Sequence, residues 1–250
     1  QAGILENPPV DAAMALHCLC GDHHPSGTML CALDGPAKAS ADSMVIRVYG
    51  KGSHGATPEQ GVDVLNILCH IHSGLQTILE REISPFEQAV LSICQIHAGT
   101  AANILPAEGF MEGTLRTFNE ETRSTAKKRI QEIAEGTAAL FGGRCEVQFH
   151  DGLLPTLNNQ ALAAEMFSYV RELLGEEHTG TIGPVMGAED FSEVSTRIPA
   201  VYMDLACGSV EEGYCYGVHS PYFRLNQEAL PVGVASFAEC AMRYLEKRQA

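Results

Sequence analysis

The 250 residues predict an α/β chain of two domains, one set inside the other. Three observations carry this. Residues 43–151 hold four runs with strand character and two with helical character, in alternation. Residues 1–42 and 152–250 mix strands with helices and read as two halves of one further domain. Apolar residues make up 45% and charged residues 19%, the composition of an ordinary globular chain.

In the first flank, Ala12-Ala13-Met14-Ala15-Leu16 is an apolar run that reads as a buried strand. Ser43 to Tyr49 is β-branched and aromatic, and Gly50 and Gly52 end it, which predicts a strand. In Thr57-Pro58-Glu59-Gln60, Thr57 can cap a helix, Pro58 suits the first helical position and Gln60 completes a capping box. Val62, Leu65, Leu68, Cys69, Leu75 and Leu79 follow at helical spacing. Residues 88–96 and 110–118 predict two more strands. Asn119 can cap the next helix, and Glu120 and Glu121 favour its positive end. Ala126, Ile130, Ile133, Ala134 and Phe141 form its apolar stripe, and Gly142-Gly143 stops it. Cys145 to His150 alternates as a fourth strand. The order β-α-β-β-α-β is the split, ferredoxin-like pattern. The second flank carries a helix near 160–174, a strand near 200–205 and a final helix near 228–246. Two flanks of this size make a thin α/β domain, which suggests a missing part.

Lys plus Arg total 16 and Asp plus Glu total 31, a formal net charge of −15. That balance argues against nucleic acid as a partner, because phosphate neutralisation supplies much of such affinity. It argues equally against docking on an anionic membrane surface. No apolar run approaches 18 residues, so no transmembrane helix is expected. Gln1 to Glu6 has neither the basic nor the apolar region of a signal peptide, and without an initiator Met, Gln1 is not read as the natural start. The nine cysteines are scattered, without a C-x-x-C pair. They read as mostly buried thiols in a reducing compartment, hence a cytoplasmic protein.

Several stretches hold residues able to carry chemistry. His17-Cys18-Leu19-Cys20-Gly21-Asp22-His23-His24 reads either as a metal site or as loop histidines beside buried thiols, and its spacing matches no common structural zinc pattern. His70, His72, His97, His150 and His178 read as structural. His54 lies in a glycine-rich loop between a strand and a helix, and Asn103 in a loop of small residues. Arg116, between Leu115 and Thr117, reads either as a solvated strand residue or as a bidentate carboxylate clamp. Glu189-Asp190 follows a glycine and precedes Phe191, and His219 sits in a turn.

Taken together, Ala15-Leu16-His17, Gly50 to Pro58, Ala98 to Pro106, Gly113 to Phe118, Gly187 to Ser192 and His219 to Phe223 resemble the amidohydrolase branch of the dinuclear metallo-aminoacylase and carboxypeptidase family. Hippurate hydrolases, N-acyl-amino-acid deacetylases and auxin-conjugate hydrolases belong to that branch. The six motifs stand in the family's order and span nearly the whole chain. The resemblance implies a zinc-exopeptidase-like catalytic domain over 1–42 and 152–250, with a lid and dimerisation domain over 43–151. It implies two divalent metal ions, zinc or manganese, with His17 and His219 each holding one. It implies that His54 stabilises an oxyanion in the partner subunit's site, and that Asn103 and Arg116 bind the substrate carboxylate. The reaction implied is hydrolysis of the amide of an N-acyl amino acid by a homodimer.

The chain departs from the family at one place. The family's Cys-Gly-His-Asp stretch and following Glu-Glu pair, which supply further ligands and the general base, lie upstream of the segment matching His17 and do not occur here. The resemblance therefore covers the C-terminal two thirds of the family's length, and the chain alone is expected to be inactive. Alternatives are a non-catalytic dimerisation module and a dipeptidase of the same family. A third is a small-molecule-binding regulatory domain, which would need no metal.

Overall fold

The computed structural model describes residues 3–249; Gln1, on which the expectation about the natural start falls, lies outside them, as do Ala2 and Ala250. In chain order the strands and helices are β1 Ala13–Leu19, β2 Met29–Cys31, β3 Pro36–Lys38, β4 Ala41–Tyr49, β5 Ser53–His54, α1 Val64–Thr77, β6 Ala89–Ala98, β7 Ile104–Leu105, β8 Glu108–Thr117 and α2 Glu120–Leu140. They continue with β9 Arg144–Leu153, β10 Thr156–Leu157, α3 Gln160–Leu174, β11 Thr179–Thr181, α4 Ser192–Ser195, β12 Ala200–Ala206 and α5 Leu230–Gln249. The chain divides into two compact units. One takes in Gln1–Lys38, Thr156–Val185 and Asp190–Ala250, and the other Ala39–Pro155 with Met186–Glu189. We call them the flanking unit and the central unit.

The central unit runs β4-α1-β6-β8-α2-β9, with sheet order β6-β8-β4-β9 and every pairing antiparallel. Met44, Ile46 and Val48 point from β4 into the core, while on the other face Ser43 and Arg47 are exposed and Val45 is buried, a period-two pattern broken at one position. Helix α1 covers the core face with Val64, Ile67, Leu68, Ile71 and Leu75. Each such burial stabilises by about 2 kcal/mol against an exposed chain.

Two sequence expectations for α1 fail here. Thr57 makes no side-chain cap, and Pro58–Gln60 is a separate 3-10 turn. Helix α1 begins later, where Asp63 accepts a hydrogen bond from the Asn66 amide at 3.1 Å. Between them Gly61 is extended, and Val62 exchanges both backbone hydrogen bonds with Lys51, so the chain leaves helical geometry there. The buried stripe runs through Val64, Ile67, Leu68, Ile71 and Leu75, so two residues expected on it lie off it: Leu65 is 42% exposed and Cys69 is exposed. Helix α2 begins as read, with the Asn119 side chain accepting from the Thr122 amide at 2.7 Å, and Ala126, Ile130, Ala134 and Ala138 are buried. Phe141 caps the end rather than extending the stripe, and stacks on exposed His70 at 4.8 Å. Gly142, at φ +78, turns the chain out of the helix.

The flanking unit has a mixed sheet of order β1-β12-β2-β11. β1 pairs with β12 in parallel from Ala13↔Ala200 to Leu19↔Ala206. β2 joins β12 antiparallel and β11 in parallel. β12 is buried at all seven positions, whereas all seven of β1 are half-buried. The expectation of a buried strand over Ala12–Leu16 is thus corrected: among the described residues β1 is an edge strand with one partner. Helices α3 and α5 pack together through Leu162, Met166, Phe167, Val170 and Cys240. Asn158 clips the unit, donating to Ala32 O at 2.8 Å and Tyr202 O at 3.0 Å and accepting from the Tyr202 amide at 2.7 Å.

All nine cysteines are free thiols, but only Cys20, Cys31, Cys207 and Cys240 are fully buried. Cys69, Cys94 and Cys215 are exposed, which corrects the reading of the set as mostly buried. Among the described residues no helix is long and apolar enough to cross a membrane.

Candidate functional site

The candidate residues fall into two groups, one in each unit. In the flanking unit, the parallel register sets His17 on β1 beside Asp204 on β12. Both lie toward the carboxyl ends of their strands, the end at which open α/β sheets bind ligands. Asp204 is 2% exposed. Lys38 Nζ donates to both its carboxylate oxygens, at 3.2 Å each, and lies 4.9 Å from the centre of the Tyr202 ring. His17 Nδ1 is 3.8 Å from Asp204 Oδ1, too far for a hydrogen bond. That nitrogen is buried and has no hydrogen-bond partner, although the His17 side chain is 39% exposed. The ring therefore turns its Nδ1 edge inward and its Nε2 edge toward solvent.

His219 is exposed and has φ +70, the only non-glycine residue with positive φ among the described residues. Holding a histidine in the left-handed region costs on the order of 1–3 kcal/mol, and such strain clusters at functional positions.

In the central unit, His54 and Asn103 meet at a small two-stranded antiparallel ladder: β5 pairs with β7 through His54↔Ile104, and the Gly55 amide donates to Asn103 O at 2.8 Å. Both side chains are exposed. His54 Nδ1 accepts from the Ala56 amide at 3.0 Å. That bond requires an unprotonated Nδ1, so a neutral ring carries its proton on Nε2 as an outward donor. Arg116 lies near the other end of the sheet, paired across to Val90, and makes no ion pair among the described residues. It stands eight residues along β8 from Glu108, roughly 26 Å at the usual strand rise. One copy of the central unit therefore keeps His54 and Asn103 together and Arg116 apart from them.

The 17–24 segment does not form a metal cluster: among the described residues no group of three or more His, Cys, Asp or Glu is placed to hold an ion. Its other imidazoles are engaged elsewhere. His23 Nδ1 pairs with Glu211 at 2.7 Å and His24 Nδ1 with Asp22 at 2.6 Å. The hydrogen bond that His23 makes to the Glu211 carboxylate raises the His23 pKa above its usual value. Burial raises the Cys20 thiol, and burial with a hydrogen bond to Cys18 pushes Cys207 up to about 12. Thiols held protonated in this way are poor ligands and poor nucleophiles.

Stacking or exposure describes three of the histidines read as structural. His97 stacks on Phe110 at 5.0 Å, and His150 and His178 are exposed. Glu189 and Asp190 stand where the chain passes from one unit to the other. Lys38 and Asp204 were not singled out from sequence. Their signal was a charged residue inside an otherwise apolar run, at Pro36-Ala37-Lys38-Ala39 and at Met203-Asp204-Leu205.

Comparison with known proteins supplies the frame for these residues. Residues 38–140 match the family described as a peptidase dimerisation domain. A thermostable carboxypeptidase of Saccharolobus solfataricus is 32% identical over 99% of this chain and 61% of its own length. An N-acetylcysteine deacetylase of Bacillus subtilis is 35% identical over 85% of this chain and 54% of its own. The solved structure of a Bacillus subtilis dinuclear metal-binding peptidase of the M20 family superposes with a TM-score of 0.79 at 30% identity, covering 98% of this chain and 60% of that one. The chain thus spans about three fifths of the length of such relatives.

Proposed function

The chain belongs to the M20 peptidase family, and on that premise we propose that the complete protein is a metal-dependent amidohydrolase that releases amino acids from N-acyl amino acids. It works as a homodimer in a reducing, cytoplasmic setting, to which the nine free thiols are suited. The observation that carries the reading is the split of the central unit's candidate residues. His54 and Asn103 share one small two-stranded ladder and Arg116 stands a sheet's length away, an arrangement suited to a site completed between two copies.

Residues 1–42 and 152–250 act as the catalytic domain, and 43–151 as the ferredoxin-like lid and dimerisation domain. His17 presents Nε2, and His219 its imidazole, as one ligand each for two divalent ions, zinc or manganese. One imidazole does not hold such an ion. The described residues fit as partial donors, and the remaining ligands and the general base come from a segment upstream of this chain in the complete protein. When bound, the ions polarise the scissile carbonyl and lower the pKa of a bound water. His54 donates its Nε2 proton as a hydrogen bond to the oxygen that becomes negative. Arg116 and Asn103 hold the substrate carboxylate, Arg116 through its planar fork of donors.

The test is direct. The complete reading frame, supplied with Mn²⁺ or Zn²⁺, should release amino acid from a panel of N-acetyl and N-benzoyl amino acids. No release from any of them would sink the proposal. His54→Ala should lower kcat by about 10²–10³-fold, and Arg116→Ala should raise KM. A non-catalytic dimerisation module would keep its association constant in both variants and have no turnover to lose. Resemblance to a carboxypeptidase favours dipeptides as the second substrate class, to be run in the same panel.

A further inference from the structure

Among the described residues Asp204 is the one carboxylate in contact range of His17, and it is almost wholly removed from water. Three facts bear on what it does there. Its two oxygens are shared evenly by Lys38 Nζ, which fixes the plane of the carboxylate. Its Oδ1 faces His17 Nδ1 at 3.8 Å, and no other partner reaches that nitrogen. His17 and Asp204 are register partners on parallel neighbouring strands, so the backbone holds the pair in place. An unprotonated Nδ1 would set its lone pair against a carboxylate in a medium of low dielectric. A protonated Nδ1 would set a positive hydrogen there instead. Where water is excluded, the second arrangement is favoured.

We infer that Asp204, clamped by Lys38, is a positioning residue for His17: it selects the tautomer with the proton on Nδ1 and so leaves the Nε2 lone pair directed outward. Histidines that bind metals commonly have their second nitrogen oriented by a carboxylate in this way. The inference about the ring stands on the geometry alone. Its use for holding a metal rests on the function proposed above. Lys38 has a separate part. By donating to both carboxylate oxygens it holds Asp204 in place, with Oδ1 standing 3.8 Å from the imidazole. The ring is oriented by charge rather than locked by a hydrogen bond.

The experiment uses the full chain with ¹⁵N-labelled histidine and no added metal, reading the two ring nitrogens of His17 from long-range ¹H–¹⁵N correlations, assigned with His17→Gln. A protonated Nδ1 with an unprotonated Nε2 is expected. In Asp204→Asn the populations should move toward the Nε2–H form. Because that variant leaves Lys38 buried without its partner and can fail to fold, the paired replacement Asp204→Leu with Lys38→Met is measured beside it. Swapping a buried ion pair for apolar groups of similar size often preserves the fold. The paired variant should lose the Nδ1–H preference while keeping its unfolding transition. An Nε2–H ring in the unsubstituted chain, or an unchanged tautomer in the paired variant, overturns the inference.

Zn²⁺ affinity by competition with a chromophoric chelator is then read in the complete protein. It should fall about 10–100-fold in the paired variant, the usual cost of losing an orienting carboxylate. If the complete protein binds Zn²⁺ no differently when His17 is changed to Gln, the metal reading of His17 fails, while the tautomer result still upholds Asp204 as the residue that orients the ring.

Discussion

Each unit buries a carboxylate against cations, and the two are satisfied to different degrees. In the central unit Asp42 accepts from Arg123 Nε at 2.6 Å, Arg123 Nη2 at 2.8 Å and Lys127 Nζ at 3.1 Å, while Glu120 takes Arg123 Nη1 at 2.9 Å. Every strong group in that network has a partner of opposite sign, and none of the candidate residues touches it. In the flanking unit Asp204 has one cation, Lys38, and one imidazole standing off at 3.8 Å. A closed network of the first kind holds elements together. An open one of the second kind leaves a polar atom uncommitted beside a residue that faces solvent. The contrast distinguishes structural charge from charge set up to act on something else.

The comparison can be broken most severely at Asp42. Asp42→Ala leaves the buried Arg123 with only the exposed Glu120 as a partner and should destabilise the central unit by about 3–5 kcal/mol, read as a shift of the denaturant midpoint. Its pH dependence follows. Burial pushes the Asp42 carboxyl up, but the hydrogen bonds and charges of Arg123 and Lys127 outweigh that and hold it below the ordinary value. A depressed folded pKa gives stability that is fully present above the unfolded value of about 3.9 and is lost as the pH falls through the folded one. Unfolding followed from pH 6 downward should show stability dropping only below about pH 4, with that contribution missing in Asp42→Asn.

Next in size is Asn158→Ala in the flanking unit, which leaves Ala32 O, Tyr202 O and the Tyr202 amide without their clip. About 3 kcal/mol is expected, since buried groups lose their partners and cannot regain water. If this change cost more than Asp42→Ala, charge would not be what sets the two units apart. Gly152→Ala sharpens the central side, because a Cβ there meets the Asp42 carboxylate and Arg123 Nη2. A loss of roughly 1–3 kcal/mol should appear, together with a weakened acid slope. Smallest is Glu165→Gln. Glu165 is pulled down to about 2 by its hydrogen bond with Arg248. Arg248 is well exposed, so solvent screens most of the pair. A fall in Tm of about 2 °C is expected.

Much of the central unit was legible because its elements follow local rules. Strand alternation in Ser43–Tyr49 and the Asn119 cap each depend on neighbours within a few residues. The start of α1 was misread because the backbone pairing of Val62 with Lys51, invisible in sequence, outweighed a plausible capping box at Thr57. The flanking unit was harder. The half-exposure of β1 depends on what lies beside it, and its partner is far away in the chain. The short strands β2, β3, β10 and β11 fall below the length at which a period can be counted. His17 and His219 were found through motif resemblance. Lys38 and Asp204 were missed because a single charge in an apolar run carries no information about its partner 166 residues on.

The register of β1 has a consequence for how the chain is made. Ala13–Leu19 is synthesised before the central unit, and its partner Ala200–Ala206 only after it. In between, the central unit gains nearly all its residues in one uninterrupted stretch, Ala39–Pro155. It can therefore fold while the flanking unit still waits, and doing so ties together the ends of a long loop whose closure would otherwise cost entropy. Until translation passes Ala206, the apolar edge of β1 stays unpaired and open to wrong partners, the period in which a nascent chain most needs protection. Protease digestion of stalled ribosome complexes should show a resistant insert well before β1 becomes protected.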